Sequence, residues 1–315
     1  MIQMYVANTD NDWFDFLKST GPHSEVNFWK PSQQLFKAID LGGLFVFRLK
    51  SPRNVIGGYG VLVSSVNAPI SLAWESFGIA NGVASESHLV TAIAKYRETR
   101  DTANYSQIGC RILADPVFFD PPDWFEVPED WSNNIVTGKV YGTSDRHGQA
   151  LYDRISERIG DRPMSSRPES DPWGVSDTEQ ARFGEPVITR PRLGQGAFRV
   201  NVSDAYRHSC AITDTKVLPA LDAAHIRPYA IGGDHSVQNG ILLRKDVHSV
   251  FDAGFATFDE EWRFIVSPRV KEVFNNGNEY RRLHGKQLAL PERKEFWPSA
   301  EHLSWHRDER FERTV

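Results

Sequence analysis

The chain has 315 residues, of which 40% are hydrophobic and 24% charged, and its formal net charge at pH 7 is -5. This composition predicts a globular protein long enough for two domains. The net charge excludes a uniformly basic surface, but it is compatible with a local basic face. The N-terminal stretch MIQMYVANTDNDWF lacks a basic run followed by an apolar run, and no window of about eighteen uncharged apolar residues occurs. We therefore expect neither export nor membrane insertion.

The two cysteines, Cys110 and Cys210, lie far apart and provide neither a disulfide framework nor a CxxC zinc cluster. This usage fits a reducing compartment, so we expect a cytoplasmic protein. Charge is unevenly distributed: residues 115–130 hold six acidic residues and no Lys or Arg, whereas residues 182–199 hold four arginines against one glutamate. The second segment is a candidate local basic face.

The first 160 residues have mixed α and β character. Strands are predicted for MYVAN, GGLFVFRLK, GGYGVLVSSV and residues 105–113, where apolar residues dominate. Helices are predicted for DNDWFDFLK, for residues 86–100, where apolar residues recur at helical spacing, and for LYDRISERIG. These elements predict a small, strongly curved sheet or barrel with helices over residues 1–160.

Residues 161–189 are rich in Pro, Ser, Arg and acids and have little periodicity, which is typical of a linker. The remaining residues, 190–315, form a second predicted domain that begins with a helix in FRVNVSDAYRHS and includes a hairpin in GFATFDEEWRFIVSP. The fold class is therefore α+β, with two domains joined by a linker.

The segment DAAHIRPYAIGGDHSVQNGILLRKDVHSVFDAG carries the main candidate site. It predicts a strand at 218–226, a loop at 228–238, a strand at 240–243 and a helix at 245–252, in the order β, β, α. On such a helix His248 and Asp252 are four residues apart and face the same side, so an imidazole and a carboxylate can converge on one divalent cation. His225 would face them from the first strand.

Each of these residues also has an ordinary structural interpretation. A single strand histidine is more often a satisfied structural residue, Asn239 followed by glycine is a turn signal, and a histidine and aspartate at helical spacing usually form a solvated or capping pair. Their joint occurrence in one compact ββα unit favours a functional site, because three unrelated coincidences would otherwise be required.

The stretch AAHIRPY followed by QNGILLRKDVHSVFDAG resembles the His-Asn-His signature of the HNH nucleases, and RPRLGQGAFRVNVSDAYRHSCAITD is similar to the lead-in of restriction-type members. The resemblance covers about residues 190–268 and implies a ββα-metal fold. It implies that His225 is the general base, that Asn239 fixes the loop and the imidazole, and that His248 is a ligand of Mg²⁺ or Mn²⁺. A neutral imidazole suits proton abstraction from water at cellular pH.

The chain departs from the family pattern at Ala224, because many members carry an Asp or His metal ligand immediately before the base. Asp252 is the favoured replacement, and Asp222, two residues before Ala224 and so on the same predicted strand face, is the weaker one. Cys210 alone does not provide the paired CxxC zinc motifs of some relatives. The core of this domain is therefore predicted to consist of apolar residues: Ile226, Ile241, Leu242, Phe251 and Phe255.

Aromatic residues mark a second candidate site in the first domain. Trp29 in VNFWKPS and Trp74 in SLAWESFG lie beside turn residues, where a ring can stack on an extruded base, although any one of the nine tryptophans is more often part of a core. FWKPS with GGLFVFRLKSPRNVIGGYGVLVSS resembles the EVE domain, a relative of the YTH and PUA-like folds that bind modified bases. The resemblance implies that Trp29 and Trp74 are pocket walls and that Asn27 and Ser51 read the base edge.

Together the two resemblances imply a modification-dependent (type IV) restriction endonuclease that flips and reads 5-methylcytosine or 5-hydroxymethylcytosine in double-stranded DNA. Arginines 182, 190, 192 and 199 would contact phosphates, although arginines in linkers are more often only solvated. Two alternatives remain: a nuclease acting on RNA or on methyladenine, and a modified-base-binding protein whose HNH unit is inactive. One site per HNH unit favours a homodimer for cutting both strands.

Overall fold

The computed structural model describes residues 1–96, 107–132, 134–159 and 194–312. The predicted linker at 161–189 lies outside these ranges, as do the predicted phosphate contacts Arg182, Arg190 and Arg192. Within the described ranges, every helix is too short or too polar to cross a lipid bilayer.

The N-terminal region consists of one sheet flanked by helices. Its strands are β1 (Gln3–Thr9), β2 (Glu25–Asn27), β3 (Leu44–Leu49), β4 (Val55–Pro69), β5 (Gln107–Phe118), β6 (Phe125–Glu126) and β7 (Gly138–Gly142). Its helices are α1 (Asn11–Thr20), α2 (Ile70–Phe77), α3 (Glu86–Ala94) and α4 (Arg146–Ile159). The mixed α and β character predicted for this region is confirmed.

The sheet has the strand order β2-β5-β4-β3-β1-β7, with β6 paired to β4. β1 and β3 run parallel and the other pairs run antiparallel, so the sheet is mixed. The predicted alternative of a barrel is wrong for the described residues, because a barrel needs its edge strands to pair, whereas β2 and β7 end the strand order on opposite sides. The pairing of the long strand β4 with β5 shifts register at two places. Such shifts are typical of β-bulges, which bend a strand.

The C-terminal region begins with α5 (Gln195–Ala205) and continues through the two strands and helix predicted from the sequence. These three elements are β8 (Leu221–His225), β9 (Gly240–Arg244) and α6 (Lys245–Asp252). The predicted hairpin is formed by β10 (Ala256–Phe258) and β11 (Phe264–Val266). The chain continues with α7 (Arg269–Phe274), α8 (Asn278–Arg281) and α9 (Ala300–Glu309).

Helix α5 belongs to both regions. Ala197 and Val200 are buried in the core that the N-terminal sheet shares with α2 and α3, whereas Phe198 and Val202 are buried in the C-terminal core. Gly196 permits the close approach to α2, because a Cβ there would lie 2.7 Å from the carbonyl oxygen of Ser76. The two regions are therefore joined by a helix that supplies apolar side chains to each core.

The C-terminal core is apolar, as predicted. Ile226, Ile241, Leu242 and Phe251 are buried in one cluster, and Phe255 packs against it partly buried. The strands β8 and β9 pair antiparallel, with His225 opposite Gly240, which sets the end of β8 beside the start of β9. This packing holds α6 against the β8–β9 pair.

His306 on α9 makes the stability of the C-terminal region dependent on pH. Its ring stacks on Phe251, with centroids 3.9 Å apart, and burial lowers the pKa of His306 to about 4. Folding favours the neutral form of His306. The contribution of this residue to the free energy of unfolding is therefore complete above its pKa in the unfolded state, about 6.5, and is lost as the pH falls toward 4. Between pH 7 and pH 4.5 this loss amounts to about 2 kcal/mol of unfolding free energy.

We expect the variant His306→Gln to be less stable at pH 7 and to show a pH dependence about 2 kcal/mol smaller than the wild type over that range. Urea unfolding followed by circular dichroism at both pH values measures this difference. An unchanged pH dependence in the variant contradicts the assignment.

Candidate active site

The ββα unit brings His225 and the predicted metal ligands His248, Asp252 and Asp222 to one cleft. His225 lies at the end of β8, and His248 and Asp252 project from α6. The cleft has a volume of about 370 Å³. Its walls come from α5, β8, the loop after β8, α6 and the residue that follows α9, and they consist of Gln195, Phe198, Arg199, Asp222, Ala223, His225, Pro228, Tyr229, His248, Asp252 and Arg310.

His225 is held between an aromatic ring and a second histidine. The ring of Phe198 stacks on its imidazole, with centroids 3.8 Å apart and an interplanar angle of 12°. Its Nε2 lies 3.0 Å from Nδ1 of His235. Burial, together with the charges of His235 and His248, lowers the pKa of His225 to about 4. The imidazole is therefore neutral at cellular pH, which is the form that accepts a proton.

His235 is a site residue that the sequence interpretation missed. It lies in the loop between β8 and β9, and its ring stacks on Tyr229 with centroids 4.7 Å apart and an angle of 8°. The available signal was a third histidine in the stretch GGDHSVQNG, between His225 and Asn239, but that stretch indicates only turns. The loop folds back and places this histidine against His225.

Asn239 is fully buried and fastens the loop that follows His225. Its Oδ1 accepts a hydrogen bond from the backbone N–H of Arg227 at 2.9 Å. Its Nδ2 donates to the carbonyl oxygens of Arg227 at 2.9 Å and of Asp234 at 2.7 Å. Asn239 was predicted to fix both the loop and the imidazole of His225. Its contacts are with the loop, whereas the hydrogen-bond partner of the imidazole is His235.

His248 lies between two carboxylates. Its Nδ1 is 3.3 Å from Asp222 and its Nε2 is 3.0 Å from Asp252. Burial opposes protonation of this ring, but the hydrogen bonds and negative charges of the two aspartates outweigh burial and raise the pKa of His248 to about 9. Burial disfavours the charged form of Asp222 as well and so raises its pKa. The hydrogen bond from His248 and the charge of Arg199 outweigh burial, and the pKa of Asp222 lies below its usual range.

In the described part of the chain, no group of three His, Cys, Asp or Glu side chains is arranged as a finished metal site. The donor types nevertheless fit a divalent cation. Carboxylate oxygens and imidazole nitrogens bind such ions, and a metal-bound histidine commonly donates its other ring N–H to a carboxylate. His248 has one aspartate at each ring nitrogen, so one side suits a metal and the other suits the supporting hydrogen bond.

Ala224 and Asp222, which strand alternation places on one face, differ in their exposure. Ala224 is fully buried in the core and Asp222 lines the cleft. The residue immediately before the base therefore packs inward here, and a ligand at that position would lie in the core. Asp222 reaches His248 directly, which makes it as strong a metal-ligand candidate as Asp252.

Arg199, the one predicted phosphate contact within the described residues, lines the cleft from α5. Its Nη2 lies 2.6 Å from Glu75 on α2, and its Nε lies 3.9 Å from Asp222. The guanidinium therefore lies between the N-terminal region and the cleft.

A second cavity, of about 310 Å³, lies in the N-terminal region beyond the ends of β1, β2 and β3. Aromatic rings and lysines dominate its walls, which consist of Asn8, Asp10, Trp13, Phe28, Trp29, Lys30, Pro31, Ser32, Lys50 and Tyr96. Burial, with a smaller contribution from the charges of Arg111 and Lys50, lowers the pKa of Lys30 to about 8.

The structure does not bring the four predicted pocket residues together. Trp29 lines the cavity and donates its Nε1–H to the carbonyl oxygen of Asn81 at 2.9 Å. Trp74 lies on α2 and packs against the core. Asn27 is fully buried, and its Nδ2 donates a hydrogen bond to Asn81. Neither residue is among those that line the cavity. Ser51 lies on an exposed turn after β3. Of the four residues predicted to form a modified-base pocket, Trp29 is the one that lines this cavity.

The C-terminal region has the order β, β, α around its cleft. Residues 210–259 match the model of a family described as HNH endonuclease, and the match spans β8, β9, α6 and β10. No curated protein matches the chain. The C-terminal part of the chain thus contains an HNH endonuclease domain.

Solved structures with some likeness to the chain include the ASCH protein from Zymomonas mobilis and a modification-dependent restriction endonuclease, TagI. The ASCH protein is 13% identical, with 48% of this chain and 94% of that chain covered and a TM-score of 0.32. A point mutant of the same protein is 12% identical, with 48% of this chain and 96% of that chain covered and a TM-score of 0.32. The TagI structure is 13% identical, with 92% of this chain and 76% of that chain covered and a TM-score of 0.26. These low scores carry no conclusion about fold or function.

We expect Asn239→Ala to destabilise the C-terminal region by about 2 kcal/mol, because it removes the side-chain partner of three partly buried backbone groups. The loop after β8 should also become more sensitive to protease. Urea unfolding and limited proteolysis measure both effects. Gln238→Ala is the matched control, since its exposed side chain makes one hydrogen bond, to the carbonyl oxygen of Glu295; equal losses in both variants would contradict the role of Asn239.

Proposed function

We propose that the protein is a DNA endonuclease whose HNH domain hydrolyses phosphodiester bonds and whose N-terminal region selects DNA carrying 5-methylcytosine or 5-hydroxymethylcytosine. One observation carries the nuclease: a neutral imidazole, His225, shares a cleft with His248 and its two carboxylates. A base that accepts a proton from water and a position for a cation are the two parts that hydrolysis of a phosphodiester requires.

In this mechanism His225 takes the proton of the attacking water. The tautomer that donates Nε2–H to His235 leaves Nδ1 as the proton acceptor. Phe198 stacks on the imidazole face and restricts rotation of the ring, so the acceptor keeps one direction. Asn239 holds the loop that carries His235. The protonated ring is then the source of a proton for later steps.

The divalent cation, Mg²⁺ or Mn²⁺, would be held by His248 together with Asp222 or Asp252. When bound, it supplies Lewis-acid stabilisation of charge on the phosphate and on the leaving oxygen. Because metal ligands must be deprotonated, binding there displaces the proton that the two aspartates favour on His248. Arg199 on the cleft wall is available to a phosphate as well.

The cavity beyond the ends of β1, β2 and β3 supports the selection of a modified base. Its volume lies near the lower end of the range for small-ligand pockets, about 300–1,000 Å³. Trp29 and Tyr96 offer ring surface at its walls, and a base stacked on an aromatic ring gains about 1–3 kcal/mol. Lys30 and Lys50 add positive charge where the phosphates flanking a flipped nucleotide would lie.

Two other functions compete with this one. A nuclease acting on RNA or on methyladenine would use the same cleft and cavity. A binding protein with an inactive HNH unit was suggested by Ala224, but Ala224 is buried and Asp222 supplies a carboxylate to the cleft. The placement of these two residues favours an active enzyme. Two copies of the chain would be needed to cut both strands at once.

We expect purified protein with Mg²⁺ or Mn²⁺ to cut plasmid that contains 5-methylcytosine or 5-hydroxymethylcytosine and to spare its unmodified twin. His225→Ala should lower the cleavage rate about 10²- to 10⁴-fold, because the general base is lost, while DNA binding in a gel-shift assay stays unchanged. Equal cutting of both plasmids would remove the modification reader. Binding without cutting of DNA or RNA would establish the inactive alternative.

Trp29→Ala and Tyr96→Ala should weaken binding of modified DNA by about five- to a hundredfold while leaving the intrinsic cleavage of saturating DNA unchanged. Fluorescence anisotropy with matched modified and unmodified duplexes measures this preference. Trp74→Ala is the control, because Trp74 packs away from the cavity, and thermal melting checks that each variant is folded. A loss of preference in Trp74→Ala alone would contradict the choice of cavity.

A further inference from the structure

Helix α5 is anchored on the N-terminal region by polar contacts as well as by packing. Glu25 on β2 accepts hydrogen bonds from the backbone N–H groups of Gly196 at 2.7 Å and Ala197 at 3.3 Å, which satisfies donors at the helix start. Ser64 on β4 donates to Oδ1 of Asn201 at 2.6 Å. These polar contacts therefore fix the helix to two strands of the N-terminal region, β2 and β4.

One side chain of this helix connects the N-terminal region to the cleft. Arg199 makes a short, charge-assisted hydrogen bond from Nη2 to Glu75 at 2.6 Å. Its Nε lies 3.9 Å from Asp222, which is too long for a hydrogen bond but close enough for attraction. Glu75 is absent from the described lining of the cleft. The guanidinium is thus held tightly by Glu75 and loosely by Asp222.

We propose that Arg199 is a positioning residue whose attachment to Glu75 keeps it from closing onto Asp222, so that Asp222 stays available to a divalent cation. The proposal rests on the proposed nuclease function, since it concerns the cation position of the HNH cleft. It makes Glu75 on α2 a residue of the N-terminal region that regulates metal binding without touching the cleft.

Arg199 has more hydrogen-bond donors than Glu75 alone can use. A guanidinium has five N–H donors and pairs readily with carboxylates in a two-pronged arrangement. When the charge of Glu75 is removed by substitution, the carboxylate that remains near Arg199 is that of Asp222. The Nε of Arg199 is already 3.9 Å from it. A direct Arg199–Asp222 pair would occupy the carboxylate and place a positive charge beside the cation position, so it would compete with the metal.

The test is Mn²⁺ binding by the full chain, measured by isothermal titration calorimetry without DNA. We expect Glu75→Gln to weaken Mn²⁺ binding on the order of tenfold, the lower end of the effect of removing an outer partner of a metal ligand. Arg199→Gln should not weaken binding, because it removes the competitor, and the double variant should behave like Arg199→Gln. With DNA, Glu75→Gln should lower kcat and leave KM unchanged, since Glu75 lies outside the cleft.

Asp15→Asn is the matched control, because it breaks the ion pair between Asp15 and Arg53, 2.7 Å apart in the N-terminal region and away from the lining of the cleft. It should bind Mn²⁺ like the wild type. Wild-type affinity in Glu75→Gln, or equal weakening in Glu75→Gln and Arg199→Gln, overturns the positioning role. If the wild type binds Mn²⁺ and cuts DNA, that result leaves the nuclease intact; if it does neither, the nuclease and the positioning role fail together.

Discussion

The position of the general base candidate depends on one helix that two cores share. Phe198 on α5 stacks on His225, while Ala197, one residue earlier, is buried in the core of the N-terminal sheet. Because protein interiors are close-packed, a shift of this helix on the sheet would move the ring that supports the imidazole. The orientation of the base is therefore tied to the packing of the N-terminal region, although the two regions have separate cores.

The two histidines of the cleft are held in opposite protonation states by their surroundings. Burial against Phe198, with His235 and His248 nearby, favours neutral His225, whereas two aspartates favour a positive charge at His248. The neutral ring of His225 suits a proton acceptor, whereas the proton on His248 must leave before that ring can bind a cation. The same pair of aspartates stabilises positive charge at one end of the cleft, where we propose that a divalent cation binds.

The N-terminal cavity follows from the topology of the sheet. β1 and β3 run parallel, so the residues after each strand meet at one edge, and the chain after β2 supplies Trp29 and Lys30 there. Trp74, the other tryptophan predicted to line a pocket, lies on α2 and packs against a core instead. An aromatic residue beside a turn can therefore line a cavity or support a core, and the path of the chain decides between them.

The sequence alone determined the order of elements in the HNH domain and the pair formed by His248 and Asp252. Both are local: strand and helix periods extend over a few residues, and a spacing of four puts two side chains on one helix face. The open sheet, the contact of His235 with His225, the buried position of Ala224 and the approach of Arg199 to Asp222 were decided by tertiary structure. Each joins residues through loop paths or packing between elements, and neither side-chain periodicity nor composition encodes those distances.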